Sequence, residues 1–133
     1  MKQLTKTALS VIAILSLSLI FIQCNDAKDA IITKYLEQQV KQTNEQCPLV
    51  MGEGLTMDSS KVEANKTLRL FFTIAGDIES FDAETGKASA IEALKNSSEI
   101  QQVKDYGITY AYTYHNGAGK VLGEITITPE DYK

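Results

Sequence analysis

The 133-residue sequence is poor in the residue types on which catalytic and metal sites usually depend. It contains no Trp, a single His (His115), two Cys and two Pro. Nucleophilic catalysis needs a nucleophile, a base and an orienting group, and tight metal sites usually combine several His and Cys side chains. One His and two Cys cannot build such a metal site. We therefore expect neither a bound metal nor another cofactor.

Basic residues are also few, and they are dispersed along the chain. There are 13 Lys and Arg against 17 Asp and Glu, which gives a formal net charge of −4. Proteins that bind nucleic acid concentrate Lys and Arg on one surface to neutralise phosphates. No such concentration is present, so the sequence argues against a nucleic-acid partner.

The first 23 residues differ from the rest of the chain. Lys2 and Lys6 precede an uncharged run over residues 8–22. As a helix this run would measure roughly 22 Å, which is short of the ~30 Å hydrocarbon core of a bilayer. The pattern predicts a signal peptide over residues 1–23 rather than an uncleaved membrane anchor. The remaining residues, 24–133, hold 11 basic and 17 acidic residues, a formal net charge of −6, and are predicted to form one small domain.

Cys24 directly follows the apolar run, and a polar stretch follows it in turn. This resembles a bacterial lipoprotein signal, in which the Cys becomes the lipidated first residue, although Gln23 stands where such signals usually have a small residue. The resemblance implies a lipid on Cys24, a tether over residues 24–30, and a location at the outer membrane or in the periplasm. The alternative is a soluble secreted or periplasmic protein with a Cys24–Cys47 disulfide, because an exported chain meets an oxidising compartment.

Hydrophobic periodicity divides residues 24–133 into elements in the order α-β-β-α-β-β. The first helix ends near Gln46 because Pro48 follows, and residues 48–55 are predicted to form a loop. The later elements are predicted strands over 55–64 and 67–75, a helix over 85–96, a second helical piece opened by a Ser98–Gln101 capping box, and two strands joined by an Asn116–Gly119 turn. We therefore expect an α+β two-layer sandwich, with a four-stranded antiparallel sheet and helices on one face.

Two details of the pattern make local predictions. The alternation of apolar side chains breaks between Met57 and Val62, which predicts a β-bulge. Gly107 follows the second helical piece and suits a left-handed position there. The last four residues, 130–133, are predicted to form a polar tail.

Side chains on the predicted sheet are the candidates for recognition. One face carries Arg69 and Phe71, and a stripe of aromatic side chains on a later strand carries Tyr110, Tyr112 and Tyr114. Tyrosine rings supply contact area for a protein or a glycan. The stripe is also in phase with the apolar residue that opens its strand, which favours the core as its location.

Several motifs between Cys47 and the C-terminus belong together. They are Cys47–Pro48 after an amphipathic helix, Leu55 opening a strand, Leu68–Thr73, Gly107–Tyr112 leading into Gly119–Lys120, and Ile125–Pro129. Over about two-thirds of the chain, this order resembles a family of small exported bacterial proteins of uncharacterised function. The resemblance supplies no catalytic residue.

The predicted function is therefore a non-enzymatic interaction module of the cell envelope. Its expected partners are the membrane, through a lipid on Cys24, and an envelope protein, peptide or glycan. A small secreted inhibitor or immunity-type protein is an alternative that rests on fold-level analogy. A small hydrolase using Cys47, with or without His115, or a carboxylate pair is the enzymatic alternative. The thin set of catalytic residue types favours binding.

Overall fold

The computed structural model describes residues 27–133, so the predicted signal peptide, Cys24 and the first part of the tether lie outside the described residues. Residues 35–133 form one compact unit, which contains the whole sheet and two helices. A first helix, α1, covers residues 27–46 and so enters this unit with its second half. The remaining elements are β1 (Leu49–Gly52), β2 (Leu55–Glu63), β3 (Thr67–Ile74), α2 (Ala83–Lys95), α3 (Ile100–Tyr106), β4 (Thr109–Asn116) and β5 (Val121–Ile127).

The strands form one five-stranded mixed sheet in the order β1-β2-β3-β4-β5. Neighbouring strands run antiparallel except β3 and β4, which are parallel, with Thr67 opposite Thr109 and Ile74 opposite Asn116. The α+β class is confirmed, whereas the prediction of four antiparallel strands is wrong. Residues 75–108 form a crossover connection that contains α2 and α3, and a connection of that kind brings the next strand back in the parallel direction.

β1 is the other correction, because it lies within the predicted loop over residues 48–55. Leu49 pairs with Met57 and Val50 with Thr56, which adds a four-residue strand at the sheet edge. The predicted bulge is confirmed, since the register of β2 against β3 shifts between Met57 and Ser59. The other strand boundaries agree with the predicted ones to within about a residue, which lies inside the usual scatter of such assignments.

A side-chain cap starts α2, and a left-handed glycine ends α3. α2 begins two residues before its predicted start, because the Asp82 carboxylate accepts hydrogen bonds from the Thr85 backbone N–H (3.1 Å) and hydroxyl (2.6 Å). The predicted capping box is wrong: α3 begins after Glu99, which makes no side-chain cap. Gly107 ends α3 in the left-handed conformation, with φ of 64°, as predicted.

One face of the sheet carries the core. β3 presents Leu68 and Phe72 to this face, and the parallel register places Tyr110 and Tyr114 beside them. The helices contact the same face, so we call it the helix-covered face and the opposite one the open face. The buried apolar side chains of this unit are Leu36, Leu68, Phe72, Val103, Ile108, Ala111, Ile125, Ile127 and Tyr132.

The C-terminal residues contribute to this core, contrary to the predicted polar tail. Tyr132 is only 1% exposed, and its hydroxyl donates a hydrogen bond to the Ile108 carbonyl at 2.7 Å. The Asp131 carboxylate accepts a hydrogen bond from the Thr128 backbone N–H at 2.8 Å, which closes a turn immediately before Tyr132. The turn therefore directs the Tyr132 ring back towards the sheet.

Asn116 ties the β4–β5 turn to the segment that leads into α2. Its side chain is 4% exposed and donates a hydrogen bond to the Ile78 carbonyl at 3.0 Å. Its carbonyl oxygen accepts the backbone N–H groups of Ala118 and Lys120, both at 3.0 Å. The Asn116 amide therefore forms hydrogen bonds with the backbone of two loops at the same end of the sheet.

Candidate functional site

An apolar cleft lies between α2 and the helix-covered face of the sheet. Its volume is about 450 Å³. The sheet contributes the floor, formed by Leu55, Phe72, Tyr112 and Tyr114, with Met51 at the margin. α2 contributes the wall, formed by Gly86, Ser89, Ala90, Ala93 and Leu94. None of these side chains carries a charge.

The cleft exists because α2 presents small side chains and comes close to the sheet at β5. A Cβ atom added at Gly86 would lie 3.1 Å from the Ile125 Cδ1, so the helix backbone is close to the sheet at that point. Phe81, just before α2, packs on Tyr114 with ring centroids 4.6 Å apart. None of the helix side chains is buried. Small side chains above β3 and β4 therefore leave a gap that larger ones would close.

The floor of the cleft is aromatic. The ring of Phe72 stacks on Tyr114 with centroids 5.2 Å apart and contacts Tyr112 at 5.8 Å. Within residues 27–133 neither tyrosine hydroxyl has a hydrogen-bond partner, and neither is sealed from solvent. Burial raises the pKa of Tyr112 to about 12, so its phenol is neutral at physiological pH. The floor thus combines ring surface with two uncommitted hydroxyl groups.

The edge strand β1 continues the cleft to the outside of the sheet. Leu49, Val50 and Met51 are 37%, 74% and 51% exposed. Sheet edges in soluble proteins are normally protected by charged residues, Pro or a covering segment, because their backbone groups pair readily with other chains. β1 has no charged side chain, and Met51 belongs to both the edge and the cleft. The apolar edge therefore meets the cleft at Met51, whereas Val50 lies on the open face of the sheet.

The sequence-predicted recognition residues lie on two opposite faces. Arg69 lies on the open face, where its guanidinium donates to the hydroxyl of Thr113 (2.7 Å) and to the carboxylates of Glu124 (3.1 Å) and Glu63. Phe71 lies on the same face, between a Lys61 ammonium 5.5 Å away and the His115 ring. The Nε and Nη1 groups of Arg69 thus donate to side chains within the protein. A recognition role for these residues stays a prediction.

The tyrosine stripe lies on the helix-covered face, and its members have different surroundings. Tyr112 and Tyr114 reach the cleft. Tyr110 stacks on Tyr112 with centroids 6.4 Å apart but does not line the cleft, and burial raises its pKa. All three side chains are half-buried. The structure therefore joins two of the five predicted residues in one site and separates them from Arg69 and Phe71.

Sequence reasoning missed the residues that make the cleft. Gly86, Ser89, Ala90 and Ala93 recur at spacings of three and four, so they share one side of α2. That run of small residues is the signal that predicts a shallow helix-to-sheet contact. The exposed edge residues had a signal as well, since Leu49, Val50 and Met51 are consecutive and apolar in a segment assigned to a loop.

The predicted catalytic alternatives find no assembled site. Cys47 is half-buried at the junction of α1 and β1. His115 stacks on Phe71 on the open face, with ring centroids 6.5 Å apart. Among residues 27–133, no group of three or more His, Cys, Asp or Glu side chains could hold a metal ion. In the same range no helix has both the length and the apolar character needed to cross a membrane.

Comparison with known families shows which family the chain belongs to. Residues 30–123 match the family model described as a domain of unknown function, DUF8479. The chain belongs to this family. Its sequence matches none of the curated proteins.

The DUF8479 domain has the same fold as three solved bacterial proteins. A Pseudomonas aeruginosa protein inferred to be secreted is 13% identical, with a TM-score of 0.68, over 80% of this chain and 96% of its own. The type II secretion system pilotin AspS from Vibrio cholerae is 19% identical, with a TM-score of 0.64, over 79% and 95%. The pilotin EpsS of the Vibrio vulnificus type 2 secretion system is 10% identical, with a TM-score of 0.69, over 80% and 96%. At these identities the likeness concerns the fold.

Proposed function

We propose that this protein is an exported, lipid-anchored and non-enzymatic module of the bacterial cell envelope, which docks an apolar segment of another envelope protein in the cleft between α2 and the sheet. The observation that carries the proposal is an uncharged cleft of about 450 Å³ that reaches the sheet edge at the exposed apolar side chain of Met51. The lipid is assigned to Cys24, and residues 24–30, of which 27–30 form the first turn of α1, connect it to the domain.

Burial of this surface would stabilise a complex. Transfer of apolar surface out of water contributes about 25 cal/mol per Å², and Met51, which lines the cleft, is 51% exposed. Large contiguous apolar patches on otherwise soluble proteins mark interaction sites. The tyrosine hydroxyls in the floor supply hydrogen-bonding groups that a partner's backbone can satisfy.

The lining of the cleft favours a protein segment over a glycan. Glycan recognition depends on many directed hydrogen bonds to hydroxyl groups, whereas the cleft offers few polar atoms beyond the Tyr112 and Tyr114 hydroxyls and Ser89. Apolar side chains of a protein fill such a cleft without unsatisfied polar groups.

The solved structures of the same fold support the assignment to the envelope. Two are pilotins of type II secretion systems, and the third is a protein inferred to be secreted. By analogy, this protein accompanies another envelope protein rather than acting on a small molecule. The analogy rests on fold, so the experiment must test the cleft directly.

Site-specific photocrosslinking in cells tests the proposal. A photoreactive amino acid at Ser89, which is exposed and lines the cleft, is compared with one at Ala88, which is exposed on α2 and does not line it. We expect a discrete crosslinked product from the envelope fraction with Ser89 and none with Ala88. Equal products at both positions, or no product at Ser89, would contradict the proposal.

A cleft-filling variant provides the second arm. Ala90→Trp places an indole in the cleft, whereas Ala88→Trp places the same ring on the outer side of α2. We expect Ala90→Trp to remove the Ser89 crosslink and Ala88→Trp to retain it. Thermal unfolding of both variants verifies that they are folded, and retention of the crosslink in folded Ala90→Trp would argue against the cleft as the docking site.

A further inference from the structure

We infer that the partner binds as an extended segment that pairs with β1 and so adds a sixth strand to the sheet, with alternate apolar side chains at the mouth of the cleft and basic residues on its flanks. The inference rests on the proposed function and specifies how the same site is used. Strand addition of this kind draws affinity from backbone hydrogen bonds and specificity from the pockets that alternate side chains enter.

The two edges of the sheet differ in their protection. β5, at one edge, carries Glu124 and has α2 packed close to Ile125. β1, at the other edge, consists of Leu49–Gly52, has no charge, and is exposed along its whole length. Every second residue of an edge strand directs its N–H and C=O outward, so β1, a short strand with a register shift between Val50 and Gly52, offers backbone groups for pairing without a charged side chain beside them. The residue at its centre, Val50, is 74% exposed.

The part of the β2 edge that β1 does not cover is already bonded to a side chain. β1 covers only the first part of β2, and further along β2 the Asn44 amide binds the backbone of Ser60. The Asn44 Oδ1 accepts the Ser60 N–H at 2.7 Å, and its Nδ2 donates to the Ser60 carbonyl at 3.0 Å. These are the two bonds that a neighbouring strand would make. The position for an added strand is therefore confined to β1 itself.

The register of β1 determines where the partner's side chains would lie. Leu49 stands opposite Met57 on the helix-covered face, and Met51, which lies in the register shift between Val50 and Gly52, lines the cleft. Val50 stands opposite Thr56 on the open face. A strand paired with β1 would place every second side chain beside Leu49 and Met51, at the mouth of the cleft. Four residues of β1 correspond to about 13 Å of strand.

Charge around β1 selects the flanks of the partner. Between residues 42 and 60 the only charged side chains are Glu45, Glu53 and Asp58, all of them acidic. All three are exposed, and residues 24–133 carry a formal net charge of −6. Complementary charge steers association and fixes orientation. A segment with Lys or Arg on either side of a short apolar core fits this edge.

Peptide selection on the purified full-length protein tests the inference. A random library of twelve-residue peptides is selected on immobilised protein, with Ala90→Trp as counter-selection. We expect enriched peptides with apolar residues at every second position and basic residues outside them. Apolar residues at helical spacings of three and four would overturn strand addition while leaving the cleft as a docking site. Peptides that copy residues 48–52 would overturn it in favour of pairing between two copies of this chain.

Backbone methylation of the best selected peptide separates strand pairing from side-chain binding. N-methylation at every second residue removes the donors on one edge of the peptide, and methylation at the intervening residues removes those on the other. We expect one of these two sets to weaken binding at least tenfold and the other to change it less than threefold. Similar effects of both sets would overturn the inference.

Two matched variants locate the bound segment. Val50→Lys adds a positive charge to β1, and Val121→Lys adds the same charge to an exposed Val at the start of β5. Because a basic partner is repelled by a like charge, we expect Val50→Lys to reduce affinity for the selected peptide at least tenfold and Val121→Lys to change it less than twofold. If Ala90→Trp abolishes binding and folded Val50→Lys does not, the cleft is retained as the docking site and strand addition is overturned. If neither variant has an effect, both proposals fail.

Discussion

The side-chain amide of Asn44 in α1 pairs with the backbone of Ser60 in β2 as a neighbouring strand would. It accepts the Ser60 N–H at 2.7 Å and donates to the Ser60 carbonyl at 3.0 Å, while the Ser60 hydroxyl also donates to it at 3.1 Å. Ser60 is 5% exposed, so these backbone groups have little access to water. The amide therefore satisfies a stretch of sheet edge that no strand covers.

Asn44→Ala tests this relationship. Buried groups that lose their partner cost about 1–3 kcal/mol, so we expect the free energy of unfolding to fall by that amount in urea titrations. Glu45→Ala, an exposed change one residue along the same helix, is expected to stay within about 0.5 kcal/mol. Equal values for the two variants would mean that water replaces the Asn44 amide at no cost.

The buried phenol of Tyr112 predicts a loss of stability at high pH. Burial, and secondarily the neighbouring Tyr114, raise the pKa of Tyr112 from 10.0 to about 12. Between these values the unfolded chain releases the proton while the folded protein retains it, so stability is full below pH 10 and falls as the pH rises towards 12. Tyr112→Phe removes this titration, and we expect its unfolding free energy to fall less between pH 9 and pH 11.

Urea unfolding at the two pH values measures the effect, and Tyr106→Phe is a control on α3. If wild-type protein and Tyr112→Phe lose stability in parallel, the phenol of Tyr112 does not control the alkaline transition. A parallel loss would also mean that the floor of the cleft is better solvated than its burial indicates.

Tyr132 anchors the C-terminus through both its ring and its hydroxyl. The hydroxyl donates to the Ile108 carbonyl at 2.7 Å, and the side chain is 1% exposed. We expect Tyr132→Phe to cost about 0.5–1.5 kcal/mol for the hydrogen bond, and Tyr132→Ala about 3–5 kcal/mol for the lost packing. Thermal and urea unfolding measure both. A near-neutral Tyr132→Ala would show that the C-terminal turn contributes nothing to the core.

The proposed lipid on Cys24 predicts a mass and a location. We expect protein extracted from the membrane fraction to have the mass of residues 24–133 plus a diacylglycerol and acyl groups, since two or more chains are needed for stable anchoring. Cys24→Ser is expected to lose the added mass, with Cys47→Ser as the matched control that retains it. An unlipidated mass two hydrogens below the reduced value would instead indicate a Cys24–Cys47 disulfide.

Local sequence patterns predicted most elements of the fold but not the direction in which two of them pair. Alternation located β3, β4 and β5 and the face that each presents, and its interruption after Met57 located the bulge in β2. Alternation contains no information on which strand lies beside which. The direction of pairing could be inferred from the length and helical content of residues 75–108, because a hairpin turn is short whereas a parallel pair of strands needs a long crossover connection.

β1 escaped prediction for a different reason. Its apolar residues number only three, from Leu49 to Met51, and Pro48 and Gly52 border them. So short a run has no measurable period, and its flanking residues are typical of loops. Tertiary pairing with Thr56 and Met57 makes it a strand. The edge that the proposed partner would use was therefore the element least visible in the sequence.

The cleft was unpredictable for a related reason. Tyr112 and Tyr114 were assigned by phase to the core face, which is the face on which they lie. How deeply a helix covers that face depends on the size of the helix side chains and on the loops that place it. Small residues such as Ala90 and Gly86 leave the space, but their effect emerges only when the sheet opposite them is known.

Asn116 links the β4–β5 hairpin to the segment that leads into α2. Its amide holds both the turn that follows it and the Ile78 carbonyl, and Gly117 donates to the Gly76 carbonyl at 2.8 Å. The path from Ile78 into α2 is only a few residues long. A residue inserted or removed after Asn116 would therefore shift α2 relative to the sheet, so the length of this hairpin is coupled to the size of the cleft.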